Sequence, residues 1–560
     1  MIRNENKVQL TLTELCPVTW DWDYQAECEK WEWRIPALYN VGYDCVDKHV
    51  RLGKKDKVAL YWENEAGEER RFTFGDMQAL SNRFGNVLRG LGLKKGDRFL
   101  LRMPNLPEFQ MAFIGGLKIG AVPIPSSVMF KSHEIAYRIN DSEASAIITV
   151  PQYAAEVAEI RGQCHSLKHL IVVGEPEEGQ LSFWALMERA SEKLRVAATR
   201  AEDLALICYT SGTTGSPKGA THAHRYVIGN DPASQYWQAL EKDDIVSHAS
   251  DLNWIYAIGQ SFLFPWRQGV SVFLYQGRFN PEKWFHLLEK YRVTNLAGVP
   301  TAYRMMTAVD GVERKYDLGA LRHCISAGEP LNPELFYEWK ERFGHELYDG
   351  LGMTEVNVYI SNMKGMPVQP GSCGRPMPGH ICTITNEDGQ ELSPGSTGIL
   401  AVRADDPGVF LGYWNKSEET ASLYKNGWLL TGDICLKADD DYYWFKGRDD
   451  DLIMSSGYRI SPFEVESAVA KHPAVLESAA VASPDPVRGV IVKSFVVLRG
   501  DHEPRPSLVK EIQEFVKGHI AAYKYPRAIE FVTELPKTQS GKIMRKLLRE
   551  AESGGTSNRG

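Results

Sequence analysis

The residues best suited to chemistry form a segment rich in glycine and hydroxyl side chains, Thr210–Gly219, with the sequence TSGTTGSPKG. Its hydroxyls and Lys218 supply hydrogen-bond donors, and its glycines let backbone N–H groups approach an anion closely. The apolar run Leu204–Tyr209 just before it predicts a strand that holds the segment in a fixed place. These features predict a cradle for a polyphosphate. A hydroxyl-rich surface loop is the alternative.

The segment differs from the P-loop of other nucleotide-binding proteins. The pattern GxxxxGK[ST] has glycine before its lysine and a hydroxyl after it. Here Lys218 lies between Pro217 and Gly219. The sequence therefore predicts a phosphate loop of another kind.

Helical stripes and short apolar runs predict the elements that position this segment. Residues 79–92 carry apolar side chains at helical spacing, and Arg98–Met103 is strand-like. Ala146–Val150 and Val270–Tyr275 are further short apolar runs. Strands that are almost continuously apolar are typical of sheets covered on both faces. The predicted fold class is α/β.

The last part of the chain predicts a small α+β domain. Ser461–Glu464 combines an N-cap serine, proline at the first helical position and glutamate three residues after the serine, so a helix is expected to begin there. Gly447–Asp451 separates two apolar segments, and the expected domains are residues 1–449 and 450–560. The other predicted elements are strands at Leu476–Ala482, Lys493–Leu498 and Ala528–Thr533 and a helix at Ser507–His519.

Composition excludes several classes of function. The net charge of −8 lacks the basic excess that nucleic-acid binding needs. The longest apolar stretch, Phe109–Pro125, contains Lys118, so we expect a buried element and no membrane span. The polar start of the chain lacks the apolar core of a signal peptide. Nine cysteines without a CxxC pair predict free thiols, no structural zinc and a cytoplasmic enzyme.

Four tryptophans near the start of the chain predict a segment that wraps on the protein body and not a recognition site. They are Trp20, Trp22, Trp31 and Trp33.

TSGTTGSPKG resembles the signature loop of the adenylate-forming superfamily, which contains acyl-CoA synthetases, peptide-synthetase adenylation domains and firefly-type luciferases. The other motifs of that superfamily follow in the expected order, and the resemblance extends from about residue 40 to about residue 547. They are the adenine segment Ser326–Pro330 (SAGEP), the second nucleotide motif Tyr348–Glu355 (YDGLGMTE), the ribose motif Thr431–Asp433 (TGD), the hinge motif Gly447–Asp451 (GRDDD) and the lysine motif Pro536–Lys542 (PKTQSGK).

The resemblance implies a large, multi-lobed N-terminal domain with covered β-sheets and a small, mobile C-terminal domain. It also implies two half-reactions. In the first, ATP and a carboxylate form acyl-AMP and pyrophosphate; in the second, the thiol of coenzyme A attacks the acyl-AMP. The expected cofactors are ATP, Mg²⁺ and coenzyme A, and no enzyme nucleophile is needed because positioning and electrostatics carry the chemistry.

Carried over by position, the superfamily's catalytic residues are Lys542, Thr354 and Lys218. Lys542 would place a cation between two anions as the adenylate forms. Glu355 would bind Mg²⁺, which prefers oxygen ligands, and Asp450 would be the hinge pivot. The implied ATP or AMP contacts are Thr210, Ser211, Gly212, Thr213, Thr214, Gly215, Lys218, Gly328, Glu329, Pro330, Asp349, Gly350, Thr354, Asp433, Arg448, Arg459 and Lys542.

The C-terminal domain contains the segments SSGYR (Ser455–Arg459), PDPVRG (Pro484–Gly489) and YKYPR (Tyr523–Arg527). These resemble segments of AMP-forming short- to medium-chain acyl-CoA synthetases, which makes coenzyme A the implied acceptor. Cations and an aromatic face suit its phosphates and its adenine. Arg459 would alternate between the phosphates of ATP and the coenzyme A side. The implied contacts are Ser456, Gly457, Arg488, Lys517 and Tyr525.

The acid is predicted from Trp254, Ile255, Tyr256 and Gly352, which resemble the walls of the acyl pocket. Acetate-specific relatives have tryptophan at the position of Gly352, so glycine favours a larger acid. The ring of Tyr256 is able to refill that space. A single methylene discriminates by only ~1–3 kcal/mol. We expect a short- to medium-chain aliphatic acid, with an acetate or aromatic-acid ligase, and the ATP-forming direction, as alternatives.

Three other functions share part of this pattern. A peptide-synthetase adenylation domain normally hands its adenylate to a carrier domain, and the 18 residues after Lys542 are too few for one. A luciferase-like oxygenase shares the first step and would emit light with a heterocyclic acid. A non-catalytic nucleotide sensor would usually have lost Glu355 or Lys542. His222 and His224 are expected to be structural.

Overall fold

The computed structural model describes residues 22–210, 216–448, 451–455, 458–485, 489–500, 502–521, 523–537 and 543–554. Within these ranges the chain forms a large α/β part and a smaller C-terminal α+β part, as predicted.

The largest sheet has nine strands in the described part of the chain. Its six central strands are parallel, and antiparallel strands complete both edges. The carboxyl ends of the central strands therefore lie along one edge, where open α/β sheets bind ligands. In spatial order the strands are Arg375–Pro376, Asn357–Ser361, Leu347–Met353, His323–Ala327, Asn295–Gly298, Ile245–His248, Ser271–Gln276, Val58–Asn64 and Glu69–Thr73.

Among the described residues of the N-terminal part, a second sheet is entirely parallel and two further sheets are antiparallel. The parallel sheet has the order Val122–Pro125, Arg98–Arg102, Ala146–Thr149, His169–Val172 and Leu181–Ser182. One antiparallel sheet contains Cys382–Thr385, Thr397–Arg403, Trp428–Lys437, Tyr424–Lys425 and Tyr443–Arg448. The other contains Gly412–Tyr413, Lys218–Ala223 and Leu204–Thr210.

In its described ranges, the C-terminal part combines a hairpin, a small mixed sheet and three helices. The hairpin is Ile453–Ser455 with Tyr458–Ile460. The mixed sheet has the order Val475–Asp485, Gly489–Leu498 and Ala528–Phe531. The helices are Pro462–Ala470, Pro506–Lys517 and Arg545–Gly554.

The remaining helices cover the sheets of the N-terminal part. The α-helices are Tyr24–Lys30, Lys48–Arg51, Phe74–Gly90, Pro107–Ile119, Ser132–Ser142, Pro151–Ile160, Phe183–Arg189, Ile255–Ile258, Phe264–Gln268, Pro281–Lys290, Pro300–Thr307, Val312–Lys315, Pro333–Phe343 and Ser417–Ser422. Short 3₁₀ turns lie at Arg161–Gln163 and His224–Val227, and π-helical turns at Tyr43–Asp47, Ala233–Trp237 and Gly259–Leu263.

Local sequence signals explain where many of these helices begin. Proline is the first residue of seven of the α-helices named above, because it is pre-shaped for that position and loses no intrahelical hydrogen bond there. The predicted start at Ser461 is confirmed: its side chain accepts a hydrogen bond from the Glu464 amide at 3.3 Å. The helix Phe74–Gly90 begins with a capping box between Thr73 and Asp76.

The prediction of sheets covered on both faces is confirmed. Along the central strand Ser271–Gln276, Val272 and Leu274 belong to one buried cluster, while Phe273 and Tyr275 belong to another. Successive side chains of a strand point to opposite faces, so both faces carry a core. The apolar stretch Phe109–Pro125 is buried as predicted, but it forms a helix and a strand, which Gly120 separates with a φ of 77°.

The tryptophans of the start pack on the protein body, as predicted. Trp22 Nε1 donates to the Lys364 carbonyl at 3.0 Å, and Trp33 Nε1 donates to the Gly379 carbonyl at 3.2 Å. The Trp31 ring lies 5.9 Å from that of Tyr236. Trp20 lies outside the described residues. In the described ranges, no helix is long and apolar enough to cross a membrane.

Candidate active site

The sheet brings the adenine segment and the second nucleotide motif together. Ser326 is the register partner of Asp349, and Ala327 is that of Gly350, at the carboxyl ends of adjacent parallel strands. Gly328 follows with a φ of 92°, a conformation that suits glycine and turns the chain away from the sheet edge. Two motifs whose first residues, Ser326 and Tyr348, are 22 positions apart in sequence thus form one wall, the adenine wall.

The strand predicted before the phosphate loop is also confirmed. Leu204–Thr210 pairs antiparallel with Lys218–Ala223, and Thr210 lies opposite Lys218. The two ends of the loop are therefore side by side. Residues 211–215 between them lie outside the described residues.

Three of the predicted motifs line one cleft of about 250 Å³. The second nucleotide motif contributes Met353 and Glu355, the ribose motif contributes Thr431 and Gly432, and the hinge motif contributes Arg448. The other lining residues are Ile399, Tyr413, Ser422, Leu423 and Leu430. Motifs up to 95 residues apart, from Met353 to Arg448, thus surround a single space.

Tyr413 connects the phosphate-loop lysine with the predicted metal ligand. Its hydroxyl donates to Glu355 Oε1 at 2.5 Å, and its ring centroid lies 5.1 Å from Lys218 Nζ. Tyr413 reaches this place because its strand pairs with the strand that begins at Lys218. Burial raises the pKa of the Glu355 carboxyl, while the hydrogen bond from Tyr413 and the charge of Arg448 act in the opposite direction.

Asp433 and Arg448 face each other across paired strands. They are register partners, and Arg448 Nη1 lies 3.2 Å from Asp433 Oδ1. The same nitrogen donates to the Thr431 carbonyl at 3.1 Å. Asp433 is buried, whereas the Arg448 side chain is 34% exposed. A Cβ at Gly432 would lie 3.1 Å from Arg448 Nη2, so glycine at this position leaves room for the guanidinium group of Arg448.

The adenine wall contains carboxyl oxygens without partners. Asp349 Oδ1 and Glu329 Oε1 are enclosed, and neither has a hydrogen-bond partner among the described residues. Burial raises the pKa of both carboxyls. Glu329 Oε2 accepts a hydrogen bond from Thr301 Oγ1 at 2.9 Å. A buried acceptor without a hydrogen-bond partner costs free energy, so this wall suits a ligand that donates hydrogen bonds.

The predicted acyl wall adjoins the adenine wall. Trp254 precedes the helix Ile255–Ile258, and Tyr256 of that helix donates to the Gly298 carbonyl at 3.3 Å. The Tyr256 ring stacks on Trp237 at 6.1 Å. The charge of Asp349 contributes, after burial, to the raised pKa of Tyr256. The structure thus brings Tyr256 close to the second nucleotide motif.

The structure changes the interpretation of Gly352. A Cβ built there would lie 2.2 Å from the carbonyl oxygen of Asn357 in the neighbouring strand, at a register shift between Leu351 and Gly352. Any side chain therefore meets backbone. In this backbone arrangement, glycine at 352 therefore has a structural reason in addition to the acyl-pocket role predicted for it.

The described residues of the predicted coenzyme A set lie together in the C-terminal part. Lys517 Nζ lies 4.5 Å from the Tyr525 ring centroid and 2.5 Å from Glu514 Oε1. Arg527 lies over the same ring at 4.9 Å and donates to Tyr525 Oη at 3.0 Å. This arrangement offers cations and an aromatic face on one surface.

Several predicted residues lie outside the described residues: Ser211, Gly212, Thr213, Thr214, Gly215, Asp450, Ser456, Gly457, Arg488 and Lys542. For Arg459 the structure gives only a place in the strand Tyr458–Ile460. Near Lys542, an isolated bridge joins Lys537 to Ile543. The charge of Lys537 also lowers the pKa of Glu329, against the larger effect of burial. Lys537, the described lysine of this motif, thus lies near the adenine wall.

His222 and His224 are fully buried, in line with the structural role expected of them. Burial lowers the pKa of each to about 3, so both are neutral near pH 7. His224 Nδ1 accepts a hydrogen bond from the Val41 amide at 3.2 Å.

Similarity to known proteins identifies the family of this chain. Residues 47–414 match the model of the AMP-binding enzyme family, and residues 464–542 match that of the AMP-binding enzyme C-terminal domain. The chain belongs to the AMP-binding enzyme family. The C-terminal match begins at Glu464, in the first helix of the C-terminal part.

The similar proteins include acyl-CoA synthetases and a CoA ligase. The mitochondrial acyl-coenzyme A synthetase ACSM3 of Mus musculus is 38% identical over 543 residues, which cover 95% of this AMP-binding enzyme and 93% of the mouse protein. The acetyl-coenzyme A synthetase of Bacillus subtilis is 38% identical, with 92% and 90% covered. The crystal structure of the anthranilate CoA ligase AuaEII with anthranoyl-AMP has a TM-score of 0.87 at 33% identity, with 93% and 99% covered.

Sequence reasoning missed two residues of this AMP-binding enzyme's candidate site. Tyr413 lies in the short segment Leu411–Trp414, and the sequence contains no signal that it reaches Glu355. His248 ends the strand Ile245–His248 beneath Tyr256, with the two ring centroids 4.5 Å apart. The sequence predicts no strand there, so the signal that His248 would give, a histidine at the carboxyl end of a parallel strand, was not available.

Proposed function

We propose that this AMP-binding enzyme activates a short- to medium-chain carboxylic acid with ATP, forms an acyl-adenylate, and transfers the acyl group to coenzyme A with release of AMP. The observation that carries this proposal is the single cleft that the second nucleotide, ribose and hinge motifs line together. The curated relatives are named as acyl- and acetyl-coenzyme A synthetases, and the similar crystal structure is of a CoA ligase bound to an acyl-AMP.

The charged and polar side chains of the cleft and the adenine wall suit the ribose, adenine and phosphates of a nucleotide. Asp433 can accept hydrogen bonds from the ribose hydroxyls, and Arg448 holds that carboxylate in place at 3.2 Å. The enclosed Asp349 Oδ1 suits an amino donor of adenine. Lys218 and the hydroxyls of the loop from Thr210 would hold the phosphates, with Thr354 and Lys542 at the reacting end.

Glu355 fits the role of magnesium ligand. Its carboxylate lies in the cleft, oxygen is the ligand that Mg²⁺ prefers, and Tyr413 holds Oε1 in place. A bound Mg²⁺ would neutralise phosphate charge. The chain's own contribution is the fixed carboxylate and the adjacent Lys218.

The described cations of the C-terminal part support coenzyme A as the acyl acceptor. Lys517, Tyr525 and Arg527 form a basic, aromatic surface suited to the phosphates and adenine of coenzyme A. We assign residues 1–449 to ATP and acid binding and residues 450–560 to a mobile domain with Asp450 as its pivot. Salt bridges now link the two parts, between Lys471 and Glu334 at 3.1 Å and between Arg304 and Glu477 at 3.8 Å. Partly exposed ion pairs contribute little free energy, so a small number of them is compatible with rotation of the C-terminal domain.

A cytoplasmic location is part of the same proposal. It is supported by the free thiols of the eight cysteines in the described ranges.

The central test is an acid panel of two to ten carbons, assayed for AMP release with and without coenzyme A and, in reverse, for ATP formation from acyl-CoA, AMP and pyrophosphate. The expected result is AMP release that requires an acid, ATP and coenzyme A together. Absence of such release across the panel would refute the proposal. Exclusive use of acetate or of an aromatic acid would select one of the alternatives.

The role of Lys542 is tested by separating the half-reactions. We expect Lys542→Ala to abolish adenylation, measured by pyrophosphate exchange, while thioester formation from supplied acyl-AMP continues. Lys546→Ala is the matched control, because that lysine lies four residues on with a side chain that is 59% exposed. Equal losses in both half-reactions would contradict the assignment.

A further inference from the structure

Beneath the acyl wall lies a buried polar side chain that the nucleotide chemistry does not use. His248 is 4% exposed, and neither of its ring nitrogens has a hydrogen-bond partner among the described residues. Tyr256 covers it edge to face, with an interplanar angle of 79°. Two other buried histidines each have a partner: His323 Nε2 lies 2.7 Å from the Trp237 carbonyl, and His49 Nε2 lies 2.6 Å from that of Trp266. His222 also lacks partners at both ring nitrogens among the described residues, but the ring beside it is that of Tyr226 and not one of the acyl wall.

Further polar groups lie on the same side of the sheet. Val246 is the register partner of Asn295 and His248 is that of Ala297, so Asn295 and His248 share a face. Gln260, one helical turn after Tyr256, is fully buried. Within this group, four buried side-chain atoms have no hydrogen-bond partner among the described residues: Asn295 Oδ1, Gln238 Oε1, Gln260 Oε1 and Gln260 Nε2.

Gln238 holds this set together. Its Nε2 donates to the Gln260 carbonyl at 2.7 Å, and its own carbonyl accepts from Asn295 Nδ2 at 2.6 Å. These bonds link the helix that carries Tyr256 to the strand beside His248. The orientation of the set is therefore fixed before a ligand arrives, as expected of a binding surface.

A group of unmet, preoriented donors and acceptors is costly inside a protein and is explained when a ligand satisfies it. We propose that His248 is a specificity-determining residue of the acyl pocket, and that the preferred acid carries a hydroxyl or amino group at the end remote from its carboxylate. This inference rests on the proposed acyl-CoA synthetase activity. The rings of Tyr256 and Trp237 confine the substituent between aromatic surfaces.

The charge state of His248 limits which substituent on the acid this site can bind. Burial lowers the pKa of His248 to about 3, so the ring is neutral near pH 7. A neutral imidazole donates at one nitrogen and accepts at the other. It matches a hydroxyl or an uncharged aromatic amine, whereas a second carboxylate would meet the partial charges of Asn295 Oδ1 and Gln238 Oε1.

The test compares acids in matched pairs by pyrophosphate exchange: butanoate with 4-hydroxybutanoate, and benzoate with 4-hydroxybenzoate and 4-aminobenzoate. We expect the full-length protein to prefer at least one substituted acid over its parent by about 10- to 100-fold in kcat/KM, the range of one well-made buried hydrogen bond. In His248→Leu that ratio should fall to about one. His248→Gln keeps a donor and an acceptor and should retain a clear preference.

The control is His224→Leu, which removes an equally buried, neutral imidazole away from the acyl wall. It should leave the ratio between substituted and parent acids unchanged. Unfolding curves for each variant separate loss of folding from loss of selectivity.

The outcomes distinguish this inference from the activity on which it rests. Parent acids that react as well as their substituted partners, or a preference that survives in His248→Leu, would overturn the role of His248 while leaving the synthetase intact. No exchange with any acid would overturn both.

Discussion

Tyr413 offers a sharp test of the candidate site, because its substitution separates one hydrogen bond from the rest of the cleft. Its hydroxyl donates to Glu355 Oε1 at 2.5 Å, while its ring lies 5.1 Å from Lys218 Nζ. Tyr413→Phe keeps the ring and the lysine contact. It removes only the donor that orients the carboxylate.

The expected magnitude follows from the burial of Glu355, which is 6% exposed. A hydrogen bond to a charged group contributes about 1.5–3 kcal/mol. Each 1.36 kcal/mol corresponds to a tenfold change in rate, so kcat/KM for adenylation should fall about 10- to 150-fold. The Mg²⁺ concentration for half-maximal rate should rise in Tyr413→Phe, because the carboxylate loses its fixed orientation.

The assay is acid-dependent pyrophosphate exchange across a Mg²⁺ titration, together with thioester formation from supplied acyl-AMP. Tyr424→Phe is the control: burial raises the pKa of Tyr424 and the charge of the nearby Glu355 adds to that rise, but no hydrogen bond joins the two side chains among the described residues. We expect the control to show the parent's Mg²⁺ dependence. The second half-reaction should change little in either variant.

A Mg²⁺ dependence in Tyr413→Phe equal to that of the parent would refute the reasoning, because Glu355 would then be oriented by other groups. An equal loss in both half-reactions would point to a general distortion of the cleft. A matching fall in thermal stability would identify that distortion directly.

Three further predictions follow. Gly352→Ala should lower the free energy of unfolding by about 1–3 kcal/mol, since its Cβ would lie 2.2 Å from the Asn357 carbonyl oxygen; urea unfolding measures this, and unchanged stability would contradict it. Asp433→Asn should raise KM for ATP about tenfold and remove the preference for ATP over 2′-deoxy-ATP; a preserved preference would place the ribose elsewhere. Stability should fall between pH 7.5 and 5.5, because burial lowers the folded-state pKa of several histidines to about 3 from 6.5, so the unfolded chain binds protons first. Each histidine contributes up to about 1.4 kcal/mol per pH unit below 6.5, and urea unfolding at both pH values that shows equal stability would refute this account. These histidines are His49, His222, His224, His248 and His323.

Much of this protein is determined by the sequence alone. The helix that begins after Ser461 and the strand Leu204–Thr210 follow from local patterns, since capping and apolar periodicity act over a few neighbouring residues. The order of the motifs from Thr210 to Lys542 led to the family, which the comparisons confirm. Ordered motifs carry this information because each occupies a fixed place in one shared fold.

The tertiary structure alone decided how those motifs cooperate. Tyr413 reaches Glu355 and Lys218 only because its strand pairs with the strand after the phosphate loop. In the sequence, Gly352 favours a wide acyl pocket. Only the structure shows that a side chain at this position would also meet the Asn357 carbonyl. His248 is assigned to the acyl wall only because the ring of Tyr256 lies against it in the structure. These contacts join residues that are distant in sequence or on separate elements, and no local pattern of residue types specifies which distant backbone or ring will lie beside them.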